Sequence, residues 1–213
     1  MRRILLVICL LLVAVPAAAQ MQLGIRTGIA VNGVSPGYPE SITRTIAAAD
    51  VTFPLSGLLG MRLGAAYAPR GGENSNPNQP DAGFVRGTPW TTTNLAHPRN
   101  QLEMSYAQFS ALLHASVETS AGLVEFGMLA GPWFGLITWC RYRNDPCADR
   151  DRSVDRYDYG LALGGGMEMA ISDDVGLALE LIHYLGLADI RDDRRKTTTS
   201  QLAGQVGFVF DIP

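Results

Sequence analysis

The sequence predicts an all-β fold, an eight-stranded antiparallel up-and-down transmembrane β-barrel, and two observations support this prediction. Eight segments alternate apolar residues with small or polar ones, as strands do when their two faces meet different surroundings. The connections between these segments alternate between short and long, which is typical of barrels with tight periplasmic turns and long outer loops. We therefore expect one barrel domain over residues 20–213, located in the outer membrane of a bacterial cell.

The first 19 residues have the composition of a secretory signal peptide. Arg2 and Arg3 precede an apolar run over residues 4–15, and small residues at 17–19 provide a cleavage site. This run is shorter than the roughly 20 apolar residues that a membrane-spanning helix needs. We expect cleavage of residues 1–19 to leave a mature chain that begins at Gln20.

The charge of the chain argues against a nucleic-acid partner. The chain has 17 basic and 20 acidic side chains, and removal of Arg2 and Arg3 leaves 15 against 20, a formal net charge of −5. A negative surface repels a phosphate backbone. No later stretch of about 20 residues is apolar throughout, so the sequence also argues against a helical membrane protein.

The first three strands show the period-2 alternation of a sheet with two unlike faces. In the first, at 22–32, leucine, isoleucine and valine share one face, while glycine, alanine and Arg26 share the other. After a loop at 35–40, the second and third strands, at 43–53 and 58–68, repeat this pattern around a tight turn. These three segments are therefore strands and not helices.

The fourth strand departs from this rule. After a long loop at 69–100, Leu102, Met104 and Tyr106 share one face. The apolar side chains that begin at Phe109 join that face only if the phase slips by one residue just after Tyr106. An extra residue in one strand produces such a slip, so we interpret this position as a β-bulge.

The last four strands alternate more regularly. Trp133, Phe134 and Trp139 lie towards the end of the fifth strand, where they suit a belt of aromatic residues at the membrane interface. The fourth to eighth strands span 101–117, 124–139, 157–171, 175–187 and 201–210, with long polar loops at 141–156 and 191–199.

The second face of the strands distinguishes a membrane barrel from a soluble one. A soluble ligand-binding barrel places its apolar face inside and charge outside, whereas this face combines many small residues with a few charges, which suit a narrow lumen. We expect the charges to form structural pairs, with proton or cation relay as the alternative. The predicted lumen charges are Arg26, Arg44, Asp50, Arg62, Glu125, Glu168 and Glu180.

Candidates for catalysis and for metal binding are sparse, so we expect no enzyme, no cofactor and no metal. His97, His114 and His183 are scattered without the spacing of metal ligands. His114 falls on the lumen face beside Ser110 and Ser116, a combination that a hydrolase site also uses. A hydrogen-bonded lumen histidine explains it better, because nothing else in the sequence supports a catalytic triad.

The two cysteines of the mature chain flank a short polar segment of an outer loop. Cys140 and Cys147 are close in sequence, and the compartment outside the inner membrane is oxidising. A metal site would need more ligands than this loop contains. We predict a disulfide between them.

The last strand has the residue spacing of an outer-membrane assembly signal. The signal consists of a polar residue, a glycine, an aromatic residue and a hydrophobic residue at set intervals, here Gln205, Gly207, Phe210 and Ile212. The barrel assembly machinery is the expected reader of this signal. The competing interpretation treats Phe208 and Phe210 as ordinary lipid-facing anchors.

Several short motifs, in their order along the chain, resemble the PorT-like family of outer-membrane β-barrel proteins. The chain has Ser105 where that family usually has proline. The resemblance covers nearly all of the mature chain. It implies an eight-stranded barrel without catalytic residues. It also implies a role in assisting secretion, which a few members of that family have. The motifs are Tyr67-Ala68-Pro69-Arg70-Gly71, Leu102-Glu103-Met104, Gly131-Pro132-Trp133, Asp158-Tyr159-Gly160, Gly164 to Gly166, and Tyr184 with Gly186-Leu187.

These observations predict a structural, adhesive or secretion-assisting role through the extracellular loops. We expect a monomer surrounded by outer-membrane lipid, with an envelope or secretion partner. Side chains just fill the interior of an eight-stranded barrel, which argues against a wide pore. Two alternatives remain open: a small-solute channel, and a lipid-modifying outer-membrane enzyme, which requires a nucleophile and a base near the outer rim.

Overall fold

The structure is a computed structural model in which strands account for most of the described chain. The predicted signal peptide and His97 lie outside the described residues. No helix in the described part of the chain is long and apolar enough to cross a membrane. The described ranges are 21–35, 38–74, 100–119, 123–142, 145–147, 156–190 and 197–212.

Nine strands follow one another along the described ranges, and eight of them form the barrel. The exception is the two-residue strand Asp145–Pro146, which pairs with the outer end of the strand before it. The strands are β1 (Met21–Ser35), β2 (Tyr38–Pro54), β3 (Leu59–Asn74), β4 (Asn100–Glu118), β5 (Val124–Tyr142), β6 (Asp145–Pro146), β7 (Tyr157–Ser172), β8 (Val175–Gly186) and β9 (Thr198–Ile212).

Antiparallel pairing closes the sheet into a ring. The strand order is β4-β3-β2-β1-β9-β8-β7-β5, and pairing of β4 with β5 joins the two ends. Closure satisfies the backbone hydrogen bonds that lipid cannot satisfy. The short β2–β3, β4–β5 and β7–β8 connections lie at one end, which we take as periplasmic, so the other end is the outer rim. The predicted eight-stranded barrel is confirmed.

Several strands extend further towards the outer rim than the alternation predicted. The predicted loop at 69–100 is shorter, because β3 continues through Arg70 to Asn74, which pairs with Asn100. Pro69 does not end the strand, because proline is tolerated where a strand does not need its N–H group. The predicted loop at 35–40 is also shorter, since β1 reaches Ser35 and β2 begins at Tyr38.

The predicted β-bulge in the fourth strand is wrong. Leu102, Met104 and Tyr106 are buried in the lumen, so the even-numbered residues of β4 face inward without a slip of phase. The irregularity at this level lies on the partner strand, where Ser105 pairs with Trp139 but Tyr106 pairs with Ile137. The extra residue is Thr138 on β5. At the outer end of β4 the large apolar residues face inward, whereas further along the strand they face outward, and this change produced the apparent slip.

The outer face of the barrel is an apolar belt. Ile29, Leu113 and Leu163 are each about 60% exposed, as lipid-facing side chains are when no lipid is present. Phe134, Trp139, Tyr157 and Tyr159 are also exposed on this face, towards the outer end. The expected place of Trp133 in this belt is wrong, because that side chain is buried in the lumen.

Small residues allow the wall to close tightly around its contents. Gly28 and Gly160 face inward, where an added Cβ would overlap the backbone carbonyl of a neighbouring strand. Larger residues at these positions would push adjacent strands apart. The core of this protein is therefore the lumen, and the belt outside it faces lipid.

Candidate functional site

Four charged side chains meet in the periplasmic half of the lumen. Arg26 on β1, Asp50 on β2, Arg62 on β3 and Glu180 on β8 have 3–7% of their side-chain surface exposed. We call these four residues the charge network. Its two positive and two negative charges balance, so no net charge is buried.

Each member of the charge network contacts two others. Arg26 is hydrogen-bonded to Asp50, and its Nε lies 3.3 Å from Oε2 of Glu180. Arg62 donates to Oε1 of Glu180 at 2.7 Å, and its Nε lies 3.5 Å from Oδ1 of Asp50. Gly24 provides the space, because a Cβ there would overlap the guanidinium of Arg26. Removing one partner of such a buried pair costs about 3–5 kcal/mol.

The other predicted lumen charges lie in two separate places. Glu125 and Glu168 are directly opposite each other on β5 and β7, and with His114 they line a cavity of about 20 Å³ beside the charge network. That volume has room for one water molecule. Arg44 instead pairs with Glu103, where both side chains are partly exposed. Across the described ranges, no cluster of three or more acidic, histidine or cysteine side chains has the arrangement to hold a metal ion.

Another buried cation, Arg70, lies in the outer half of the lumen. Its guanidinium carbon lies 4.0 Å from the centre of the Trp133 ring, 5.2 Å from that of Tyr106 and 5.9 Å from that of Tyr184. Trp133 and Tyr184 meet edge to face, with 6.3 Å between ring centroids. We call these four residues the Arg70 cage. Cation–π contacts of this kind strengthen when they are removed from water.

Polar partners complete the surroundings of Arg70. It donates to Oε1 of Gln108 at 2.6 Å and to Oγ1 of Thr199 at 2.8 Å. The hydroxyl of Thr199 in turn donates to Oδ2 of Asp158 at 2.6 Å. Asp158 also lies 4.0 Å from the Arg70 guanidinium and neutralises its charge.

Sequence reasoning missed the Arg70 cage, although part of its signal was present. The motif Tyr67-Ala68-Pro69-Arg70-Gly71 contains Arg70, which lies on β3 and not in the predicted loop at 69–100. Trp133 shares the odd-numbered parity of Glu125, which the sequence predicts to face the lumen. Applying that parity to the end of β5 would have placed Trp133 in the lumen.

Apolar side chains lie between the charge network and the Arg70 cage. Along the inner face of β8, Ile182 follows Glu180 of the charge network and precedes Tyr184 of the Arg70 cage. Ile182, Ile46 and Leu112 are each at most 3% exposed. Side chains therefore fill the lumen at three successive levels.

The predicted disulfide between Cys140 and Cys147 is confirmed. The two Cα atoms are 5.4 Å apart. The bond holds β6 against the outer end of β5, where Arg141 pairs with Pro146. Both cysteines pack against the buried cluster of the lumen, so the bond attaches the start of this outer loop to the barrel.

The residues of the C-terminal assembly signal all lie on β9. Gln205 and Gly207 face the lumen, while Phe210 and Ile212 are exposed on the apolar belt. Strand β9 pairs with β1, with Phe210 opposite Leu23. The geometry is that of the last strand of the barrel, and recognition by the assembly machinery stays a prediction.

A hydrogen bond joins a histidine to a serine at His183, a residue for which the sequence predicted no role. Nε2 of His183 on β8 is 2.9 Å from Oγ of Ser200 on β9, and both side chains are half-buried on the outer face. His114 lies instead against Gly127 in the small cavity. The residues His183 and Ser200 are 17 positions apart in sequence.

No protein-family model and no curated protein sequence matches this chain. Its fold is similar to that of Neisserial surface protein A, NspA, with 8% identity, a TM-score of 0.52, and coverage of 90% of this chain and 97% of that one. It is also similar to Ail, the attachment invasion locus protein of Yersinia pestis, with 13% identity, a TM-score of 0.46, and coverage of 90% and 99%. The N-terminal β-barrel domain of Pseudomonas aeruginosa OprF gives 10% identity, a TM-score of 0.44, and coverage of 91% and 99%. At 8% identity the likeness to NspA is one of fold, and together with the apolar belt it supports the assignment of this eight-stranded β-barrel to the bacterial outer membrane.

Proposed function

We propose that this protein is a surface protein without a wide pore, with a structural, adhesive or secretion-assisting role performed at its outer rim. The observation that supports this role is the filled lumen, in which the Arg70 cage lies above an apolar level and the charge network. A barrel whose interior is occupied offers its loops and rim for interaction. The proposed role requires no catalytic residue in the lumen.

The length of the wall supports the same role. Strands β4 and β5 each have 19 residues, and at the usual rise and tilt they extend over roughly 45 Å. The apolar band of such a barrel is about 25 Å tall. The β3–β4–β5 wall therefore continues beyond the membrane at the outer end, and the Cys140–Cys147 bond strengthens this extension.

The proposed partner is an envelope or secretion component, or a surface to which the cell adheres. We further propose a monomer that the barrel assembly machinery inserts into the outer membrane. The motifs quoted above support a relationship with the PorT-like barrels, within which a secretion-assisting role is the more specific form of the proposal.

Two matched variants test the role of the rim. In the first, residues 75–99, which connect β3 and β4, are replaced by a short Gly/Ser turn. In the second, Arg44→Gln removes a charge from the wall and leaves the connection intact. Crosslinking in intact cells, followed by mass spectrometry, and attachment of whole cells to surfaces should show losses for the first variant only. Equal results for wild type and the loop variant in both assays would overturn the proposal.

The small-solute channel is the second candidate, and the cavity beside the charge network is the observation in its favour. Purified protein in planar bilayers distinguishes the two functions. The proposed role predicts no stable conductance above the lipid background. Reproducible unit conductance that changes in Arg62→Ala would favour the channel instead.

A further inference from the structure

His183 and Ser200 form a polar pair on a surface that is otherwise made of leucine. In the strand register, His183 lies between Leu163 on β7 and Leu202 on β9. Leu181 and Leu185 are its neighbours on the same face of β8. These four leucines are 44–59% exposed and belong to the apolar belt. The pair is therefore surrounded by the side chains that contact acyl chains.

The pair lies near the outer boundary of the apolar belt. His183 is eight residues beyond Val175, where β8 leaves the periplasmic turn. Eight residues at the usual rise and tilt correspond to about 20 Å along the membrane normal. Because the band is about 25 Å tall, this is the depth at which outer-leaflet acyl chains join their headgroups.

Polar side chains that face lipid at this position lower the stability of the barrel. An ionisable residue that faces lipid lowers stability unless its polar atoms are satisfied, and such residues usually have a function. The hydrogen bond between Nε2 and Oγ offsets part of that cost. It also creates the arrangement by which a neighbouring base activates a hydroxyl nucleophile.

We propose that Ser200 and His183 act as nucleophile and general base in hydrolysing the acyl ester of a membrane lipid. Ser200 Oγ attacks the ester carbonyl carbon, and its proton moves to Nε2 of His183. The bond from that carbon to the lipid alcohol then breaks, and the alcohol oxygen takes the proton from Nε2. A water molecule then gives a proton to Nε2 while its oxygen attacks the acyl carbon. The bond from that carbon to Oγ breaks, Oγ takes the proton back from Nε2, and the fatty acid leaves. Ester and water thus become fatty acid and alcohol.

This activity is independent of the role proposed for the outer rim. The pair lies on the lipid-facing wall, outside both the charge network and the Arg70 cage. A lipid reaches it by lateral diffusion within the membrane, so no opening of the lumen is required. Loss of the loop 75–99 should leave the reaction unchanged, which separates a failure of one proposal from a failure of the other.

A serine-directed fluorophosphonate probe tests the nucleophile directly. Refolded protein in detergent, with folding checked by heat-dependent gel migration, is labelled and mapped by peptide mass spectrometry. We expect one phosphonyl adduct on Ser200, no such adduct in Ser200→Ala, and a labelling rate lowered about 100-fold or more in His183→Gln. Thr45→Ala, which removes another lipid-facing hydroxyl, should label like wild type.

Lipid substrates test the reaction and distinguish the two classes of lipid that could supply the ester. Mixed micelles contain an ester-linked glycerophospholipid, an acylated glucosamine lipid, or the ether-linked analogue of the first. We expect fatty acid release from at least one ester lipid, none from the ether lipid, and none in Ser200→Ala. A folded wild-type barrel that gives neither the Ser200 adduct nor fatty acid overturns the proposal, as does release from Ser200→Ala at the wild-type rate.

Discussion

The Arg70 guanidinium lies 4.0 Å from the centre of the Trp133 ring, deep in the outer half of the lumen. The indole of Trp133 also donates from Nε1 to the backbone carbonyl of Leu185 at 3.3 Å. One aromatic side chain thus covers a buried cation and reaches past the neighbouring strand β7 to the backbone of β8. This relationship links β3, β5 and β8 across the barrel interior.

Trp133→Leu should lower the free energy of unfolding by about 3 kcal/mol, near the lower end of large-to-small core substitutions. The change removes the ring above Arg70 and leaves a cavity that the surrounding strands cannot close. Denaturant unfolding of the barrel refolded in detergent measures the effect. Trp139→Leu is the matched control, because Trp139 is 43% exposed on the outer face. Equal losses for the two variants would contradict the role of the Arg70 cage.

Arg62→Ala should lower the free energy of unfolding by about 3–5 kcal/mol, because it leaves Glu180 and Asp50 with excess buried charge. The double variant Arg62→Met, Glu180→Leu should cost less than Arg62→Ala, since Arg26 and Asp50 remain as a neutral pair. Arg44→Ala serves as the control and should cost at most about 1 kcal/mol, because its pair with Glu103 is partly exposed. A double variant as unstable as Arg62→Ala would argue against a mutually compensating charge network.

Reduction of the Cys140–Cys147 bond should leave the barrel intact. The bond joins residues only seven apart, so its chain-entropy contribution is about 2 to 3 kcal/mol at most. Mass spectrometry of the non-reduced protein should show one intramolecular disulfide. The Cys140→Ser, Cys147→Ser variant should still change its gel migration on heating. Collapse of the barrel in that variant would assign the bond a structural role that its short loop does not predict.

Phe210→Ala should reduce the amount of barrel in the outer membrane more than it reduces the stability of the refolded barrel. As an ordinary apolar anchor, Phe210 would contribute about 1.5 to 3 kcal/mol by the usual area scale. Phe208→Ala is the control, because Phe208 is exposed on the same face but lies outside the predicted signal. Quantification in isolated outer membranes, compared with unfolding in detergent, measures the two effects. If both variants lower assembly equally, Phe210 has no special role in targeting.

Strand alternation determined which face each residue occupies, because side-chain direction in a strand has a local period of two. On that basis Arg26, Asp50, Arg62 and Glu180 could be assigned to the lumen from sequence. The alternation also holds at the outer end of β4, but hydrophobicity does not identify the outer face there, because Leu102 and Tyr106 are apolar and yet face inward. Hydrophobicity indicates lipid contact only where the lumen is polar.

The sequence by itself therefore determined the fold class, the strand count, the lumen-facing charges and the disulfide of this protein. Only the tertiary structure decided which residues meet: Arg62 with Glu180, Arg70 with Trp133, and His183 with Ser200. The physical reason is that side-chain direction is a local property of each strand, whereas contacts across the lumen and between strands depend on register. That register becomes defined only when all eight strands pair and the ring closes.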